Sequence, residues 1–249
     1  MMRTVELAIE IQPLEQFKID RLIPLHVGGI DVSYTNAALL MTVAVALVTA
    51  LVVLGTRRQA LVPGRWQSLA EMSYEFVADM VATNVGHDGW QFFPFVFTLF
   101  MFILFANFLG MVPYSYAVTS QIVVTFALAA VVFIGVTIVG IVRHGFHFLR
   151  LFVPQGVPVV LLLILVPIEL LSYCIRPFTL SIRLFANILA GHTMLAIFGG
   201  FAASIGLFGI FPLGINILLV ALEVLVAALQ AYVFAILTCL YLSDAINLH

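Results

Sequence analysis

The sequence predicts an all-α integral membrane protein: about five membrane-crossing helices plus one surface amphipathic helix, the last two spans forming a long, strongly tilted hairpin. Three observations carry this. Of 249 residues, 63% are hydrophobic and only 9% are charged, at a mean hydropathy of +1.20, where a soluble domain carries about 25% charged residues. The apolar residues gather into runs long enough for a bilayer core of about 30 Å, which takes roughly 17–25 helical residues. The last two runs exceed that length and hold nearly all the intramembrane ionisable groups.

The chain reads as a single membrane domain, 1–249, with a polar outer N-terminal segment over 1–35, supporting spans and the surface helix over 36–153, and the terminal hairpin over 154–249. The N-terminal segment mixes Glu6, Glu10, Glu15, Lys18, Asp20 and Arg21. A cleavable signal needs a basic start and a short apolar core, so the first apolar run is expected to act as an uncleaved insertion signal. That run, Ala37–Gly55, ends at Arg57 and Arg58. Trp90–Val112 is the second span, closed by Pro113, and Thr119–Val142 the third, ended by Arg143, His144 and His147.

Between the first two spans, Ser68 with Glu71 fits a capping box that would open a helix over Ser68–Val85. Glu71, Glu75 and Asp79 share one face, and Leu69, Met72, Phe76 and Met80 a neighbouring apolar one. This is the pattern of a helix lying at the membrane surface, although a short helix packed on a partner protein would look the same. Arg57, Arg58 and Arg65, then Arg143 and Arg150, fall on one side of the membrane. The positive-inside rule makes that side cytoplasmic, with the N-terminus outside and Asp244–His249 inside.

The final runs are Val157–Phe198, 42 residues, and Gly214–Ala245, 32 residues. As continuous helices they would be about 63 and 48 Å long, whereas a 40° tilt lengthens a 30 Å crossing only to about 39 Å. They therefore break or lie far from the membrane normal. Pro158, Pro167 and Pro177 allow kinks; Gly199, Gly200, Gly206, Gly209 and Pro212 mark the turn. No internal repeat is visible. A net charge of −2 gives no sign of a nucleic-acid partner. Cys174 and Cys239 lie in apolar runs and read as free buried thiols, and no cofactor is expected.

Ionisable groups inside spans are rare and point to function. Here they are Glu169, Arg176, Arg183, His192 and Glu223, accompanied by Asn187, Asn216 and Gln230. Glu169, Arg176 and Arg183 are spaced by seven, so they fall on one face, which Asn187 joins. His192, half a revolution from Arg183, points to a second surface. Glu223 and Gln230, also seven apart, share a face. Arg176 either snorkels to the interface or pairs with Glu169. His192 taken alone suits a packing role. Asn107, Asn216 and Gln121 suit interhelical hydrogen bonding. Arg183 is different. Its guanidinium cannot discard its charge and has no acid at i±3 or i±4, so its partner must lie on another chain or in a wet cavity.

The run Leu180-Ser181-Ile182-Arg183-Leu184-Phe185-Ala186-Asn187-Ile188-Leu189-Ala190-Gly191-His192 resembles the signature of subunit a of F-type ATP synthases, in the alphaproteobacterial or mitochondrial type. Glu169, Glu223 with Gln230, and Asn107 before Pro113 fit further positions. Some members place an acid where His192 stands and a histidine near Glu223; here the two are exchanged. The resemblance implies a noncatalytic, proton-conducting stator in the bacterial inner membrane or its mitochondrial counterpart. It implies as partners a c-subunit ring, peripheral-stalk b-type subunits, the catalytic ATPase head and membrane lipid. It assigns ion translocation to Arg183, Glu169, Asn187, His192, Glu223 and Gln230, with Arg183 separating two offset half-channels. The alternative is a proton-coupled secondary transporter, which would tend to show repeated halves. A haem-bearing membrane anchor would want facing histidine pairs, and none is apparent.

Overall fold

The computed structural model describes residues 18–24, 26–27, 30–31, 33–57, 62–112, 115–145, 148, 153 and 159–247. Arg58, Pro113, His147, Arg150, Val157, Pro158 and the acids before Lys18 lie outside the described residues. In the N-terminal segment, β1 (Arg21–Ile23) pairs antiparallel with β4 (Tyr34–Thr35), and β2 (His26–Val27) with β3 (Ile30–Asp31). These short ribbons had no signature in the sequence. Six helices follow: α1 (Asn36–Thr56), α2 (Arg65–Asn84), α3 (Phe93–Gly110), α4 (Ile122–His144), α5 (Val159–Ser204) and α6 (Ile210–Ile246). All except α2 are long and apolar enough to cross a membrane.

Local chemistry sets most of the helix ends. Thr35 caps α1, its hydroxyl accepting from the Ala38 N–H at 3.3 Å. A 3₁₀ turn over His87–Phe92 leads into α3, whose first turn holds Pro94, where a missing N–H costs nothing. The capping box expected at Ser68 does not form. Gly64 takes the N-cap and the Ser68 N–H donates to the Gly64 carbonyl at 2.8 Å, so Ser68 lies inside the first turn. Val77, Ala78, Met80 and Val81 of α2 pack against the other helices, whereas Leu69, Met72 and Phe76 stay exposed, as suits an apolar face turned to a membrane surface. Close approach of small residues fixes this orientation. A Cβ on Gly55 of α1 would stand 2.5 Å from the Ala70 Cβ.

The core centres on α3, which is apolar all round and therefore suits burial. Val96, Met101 and Ile103 meet Val77 and Val81 of α2, Ala129 and Val132 of α4, and Phe234, Ala235 and Cys239 of α6. Leu180 and Leu184 bring α5 to the same cluster. Hydroxyl pairs tie α4 to α5: Thr125 with Ser181 at 3.1 Å and Thr137 with Tyr173 at 2.6 Å. Cys174 is exposed on α5, not buried as expected. Its face of α5 turns away from the other described helices, so an apolar neighbourhood in sequence meant outward-facing surface there.

The terminal hairpin is two unbroken helices. α5 runs 46 residues, through Pro167 and Pro177, for about 69 Å; α6 runs 37, for about 55 Å. Neither breaks into spans of ordinary length, so both must run far from the membrane normal to stay within the bilayer. The turn is tighter than the glycines implied. Gly199 and Gly200 remain inside α5, a 3₁₀ turn covers Gly206–Gly209, and Pro212 sits in the first turn of α6.

Candidate functional site

The antiparallel α5–α6 pairing turns the dispersed polar residues into one seam. The Asn187 amide donates to Gln230 Oε1 at 3.0 Å. One step further from the hairpin's open end, His192 Nε2 stands 3.5 Å from Glu223 Oε1. Both members of that pair are largely buried, their side chains 13% and 5% exposed. Near the open end, Arg176 pairs with Asp244 at 3.0 Å. Its guanidinium lies against the rings of Tyr173, at 5.4 Å, and Tyr241, at 4.9 Å.

Two sequence expectations need correction. Arg176 was expected to snorkel at a span end or to pair with Glu169. Its ion pair is instead with Asp244, because α5 does not end near Pro177 and α6 returns its C-terminal turns alongside Tyr173 and Arg176. His192 points away from the Arg183 face, as expected, and addresses α6; Asn187, grouped by helical angle with Arg183, addresses α6 as well. The helix α6 packs along the flank between them, so side chains about 140° apart around α5 reach it from either side. Asp244 could have been found: it lies 21 residues past Glu223, three heptads along the same stripe of α6.

Arg183 stays apart from this seam. It is exposed on α5, and among the described residues it has no hydrogen bond or ion pair. Glu169 is half-buried two heptads before it, about 21 Å along the helix, and likewise has no such partner among the described residues.

Asn216, Glu223 and Gln230 recur every seventh residue of α6. Each holds a buried polar atom with no hydrogen-bond partner among the described residues: Asn216 Oδ1, both Glu223 carboxylate oxygens and Gln230 Nε2. Asn107 of α3 adds its Oδ1, although its amide donates to the Ala227 carbonyl at 3.0 Å. Asn107 is thus an interhelical tie, as expected, whereas Gln121 sits at the N-cap of α4, not inside a span. A buried unpaired polar group costs about 1–3 kcal/mol, and such groups are normally satisfied by ordered water. A row of them along one stripe suits a chain of water.

Gly191 makes room for the Glu223 carboxylate. A Cβ there would stand 2.8 Å from Glu223 Oε1. Gly191→Ala must push the carboxylate aside, at about the 1–3 kcal/mol typical of overpacking.

Comparison with known proteins gives a consistent match. The sequence profile of the ATP synthase A chain family matches residues 38–243. The ATP synthase subunit a of Parvibaculum lavamentivorans is 56% identical, over 95% of this chain and 94% of its own. Those of Rhodospirillum rubrum and Paramagnetospirillum magneticum are 52% and 51% identical, each over 95% of this chain and 99% of its own.

Proposed function

We propose, on the premise that this chain belongs to the ATP synthase A chain family, that its α5–α6 hairpin carries two offset proton half-channels kept apart by Arg183. As a member of that family the chain is the noncatalytic, proton-conducting stator subunit of the F-type complex, a multi-pass protein of the bacterial inner membrane. The observation that carries the proposal is the separation of the polar seam from Arg183. Asn187, His192, Glu223 and Gln230 lie together between α5 and α6, while Arg183 is presented outward from α5.

In this reading, protons enter from the outer side through the stripe of Asn216, Glu223 and Gln230, with His192 and Asn187 facing it. An imidazole beside a carboxylate is a ready proton relay. Glu169 lines the inner half-channel, on the far side of Arg183. The outward face of α5 meets a ring of c subunits, each bearing one membrane-embedded carboxylate. Arg183 favours the ionised form of a carboxylate brought opposite it and repels hydronium that would cross directly. The proton then has to travel with the ring. Each charge crossing releases about 2.3 kcal/mol per 100 mV, and rotation delivers that energy to the catalytic head. Peripheral-stalk b-type subunits hold the chain against the torque.

The discriminating experiment is affinity purification followed by reconstitution. The chain is expected to bring down a ring of small hairpin subunits and the stalk, and to conduct protons only with the ring present. Conduction by the chain alone would favour the transporter reading instead.

A further inference from the structure

We infer that the cleft between α1, α2 and α3 holds a phospholipid of the cytoplasmic leaflet, its ammonium headgroup at Glu71 and Glu75 and one acyl chain between α1 and α3. Two cavities, of about 810 and 330 Å³, share Val48, Thr49 and Thr98 and so form one elongated cleft. Its outer end is lined by Gln67, Glu71 and Glu75 of α2. Its inner end is closed by Val45, Leu99 and Phe102. From Thr56 to Val45 it follows α1 for about 16 Å, the depth of one leaflet of a ~30 Å core.

The walls suit an alkyl chain. The hydroxyls along them are already satisfied by their own helices, Thr49 donating to the Val45 carbonyl, Thr56 to Val52 and Thr98 to Pro94, each at 2.8 Å. They therefore ask no hydrogen bond of the occupant. The mouth suits a cation. Glu71 accepts from the Gln67 amide at 2.7 Å, and among the described residues no lysine or arginine lines the cleft. Arg57 and Arg65, the nearest described cations in sequence, are not part of it. In the orientation set by the basic loops, this mouth lies at the cytoplasmic surface, level with lipid headgroups. Two carboxylates there attract an ethanolamine ammonium and repel a headgroup that is only anionic.

The test uses the whole complex in vesicles of mixed phosphatidylethanolamine and phosphatidylglycerol. Each lipid is supplied in turn with a photoreactive group on one acyl chain, and the labelled peptides are mapped. The ethanolamine probe is expected to label residues 45–56 and 93–102, and unlabelled ethanolamine lipid, not glycerol lipid, to compete it away. Glu71→Gln combined with Glu75→Gln should lower this labelling about fivefold, the scale of a surface ion pair. Thr49→Phe, which fills the cleft and leaves the acids in place, should also lower it. If the acid double variant does not assemble, the competition in the unaltered complex decides. Equal labelling by the two lipids would overturn the inference. So would label confined to the exposed faces of α5 and α6, or protection of the cleft by another subunit's helix.

Discussion

Complexes carrying Arg183→Ala or Arg183→Lys are expected to assemble and to make no ATP from a proton gradient. Arg183 is a permanent charge in the middle of a 46-residue apolar helix, exposed and without an ion-pair partner among the described residues. Placing arginine in a bilayer costs about 2.5–3.5 kcal/mol on insertion scales. In the proposed mechanism an ionised acid on the facing ring offsets that cost, which would couple the pairing to the acid's protonation state. Alanine removes the charge altogether, and protons are then expected to leak between the proposed half-channels. Lysine keeps a charge but loses the planar fork of donors, and it can deprotonate when desolvated. A barrier raised by about 3 kcal/mol already slows a step more than about 100-fold. Arg176→Ala should behave differently. Arg176 is compensated within the chain by Asp244 at a half-exposed site, where an ion pair is worth about 1 kcal/mol or less, and much of the activity should remain. ATP synthesis and passive proton uptake in vesicles, with assembly checked by copurification, measure all three variants.

The second large effect is expected at the His192–Glu223 pair. Replacing either residue with leucine should slow proton flux about tenfold or more, equivalent to about 1.4 kcal/mol on the barrier, with the complex assembled. The pair is buried, its members are 3.5 Å apart, and both carboxylate oxygens lack hydrogen-bond partners among the described residues. A purely structural pair would be replaced by apolar side chains at little cost, and sometimes with a gain in stability; a relay would not. Exchanging the two, with His192→Glu and Glu223→His together, keeps a carboxylate facing an imidazole and should recover part of the flux lost in each single variant. Full flux in the leucine variants would remove the pair from the proton path.

The spans and the seam residues differed in how far they could be read from the chain. Helix existence followed from run length, because a bilayer leaves backbone polar groups no partner outside a helix or barrel; α1 and α4 differ from expectation by only a few residues at either end. The unbroken hairpin was legible as excess length, although not its continuity through Pro167 and Pro177. Helical angles grouped Glu223 with Gln230 correctly, since both lie on one nearly straight stripe. They turned His192 away from Arg183 correctly but grouped Asn187 with Arg183, because an angle around α5 does not say where α6 will lie. Asp244 was overlooked because it stands at the very end of the Gly214–Ala245 run, and its partner Arg176 meets it only once α6 folds back along α5. The packed face of α2 was not read from the sequence. Its packing is set by Ala70 against Gly55, a fit between small residues that a search for large apolar ones does not weigh. The space at Gly191 was equally hidden, since it exists only once Glu223 is opposite.

Arg183 as the barrier between two half-channels is tested most directly by ATP synthesis in vesicles bearing assembled Arg183→Ala complexes, driven by an imposed proton gradient and potential. The account predicts no synthesis above background, with passive proton uptake still detectable through the ring. Synthesis near the wild-type rate by an assembled Arg183→Ala complex would contradict it.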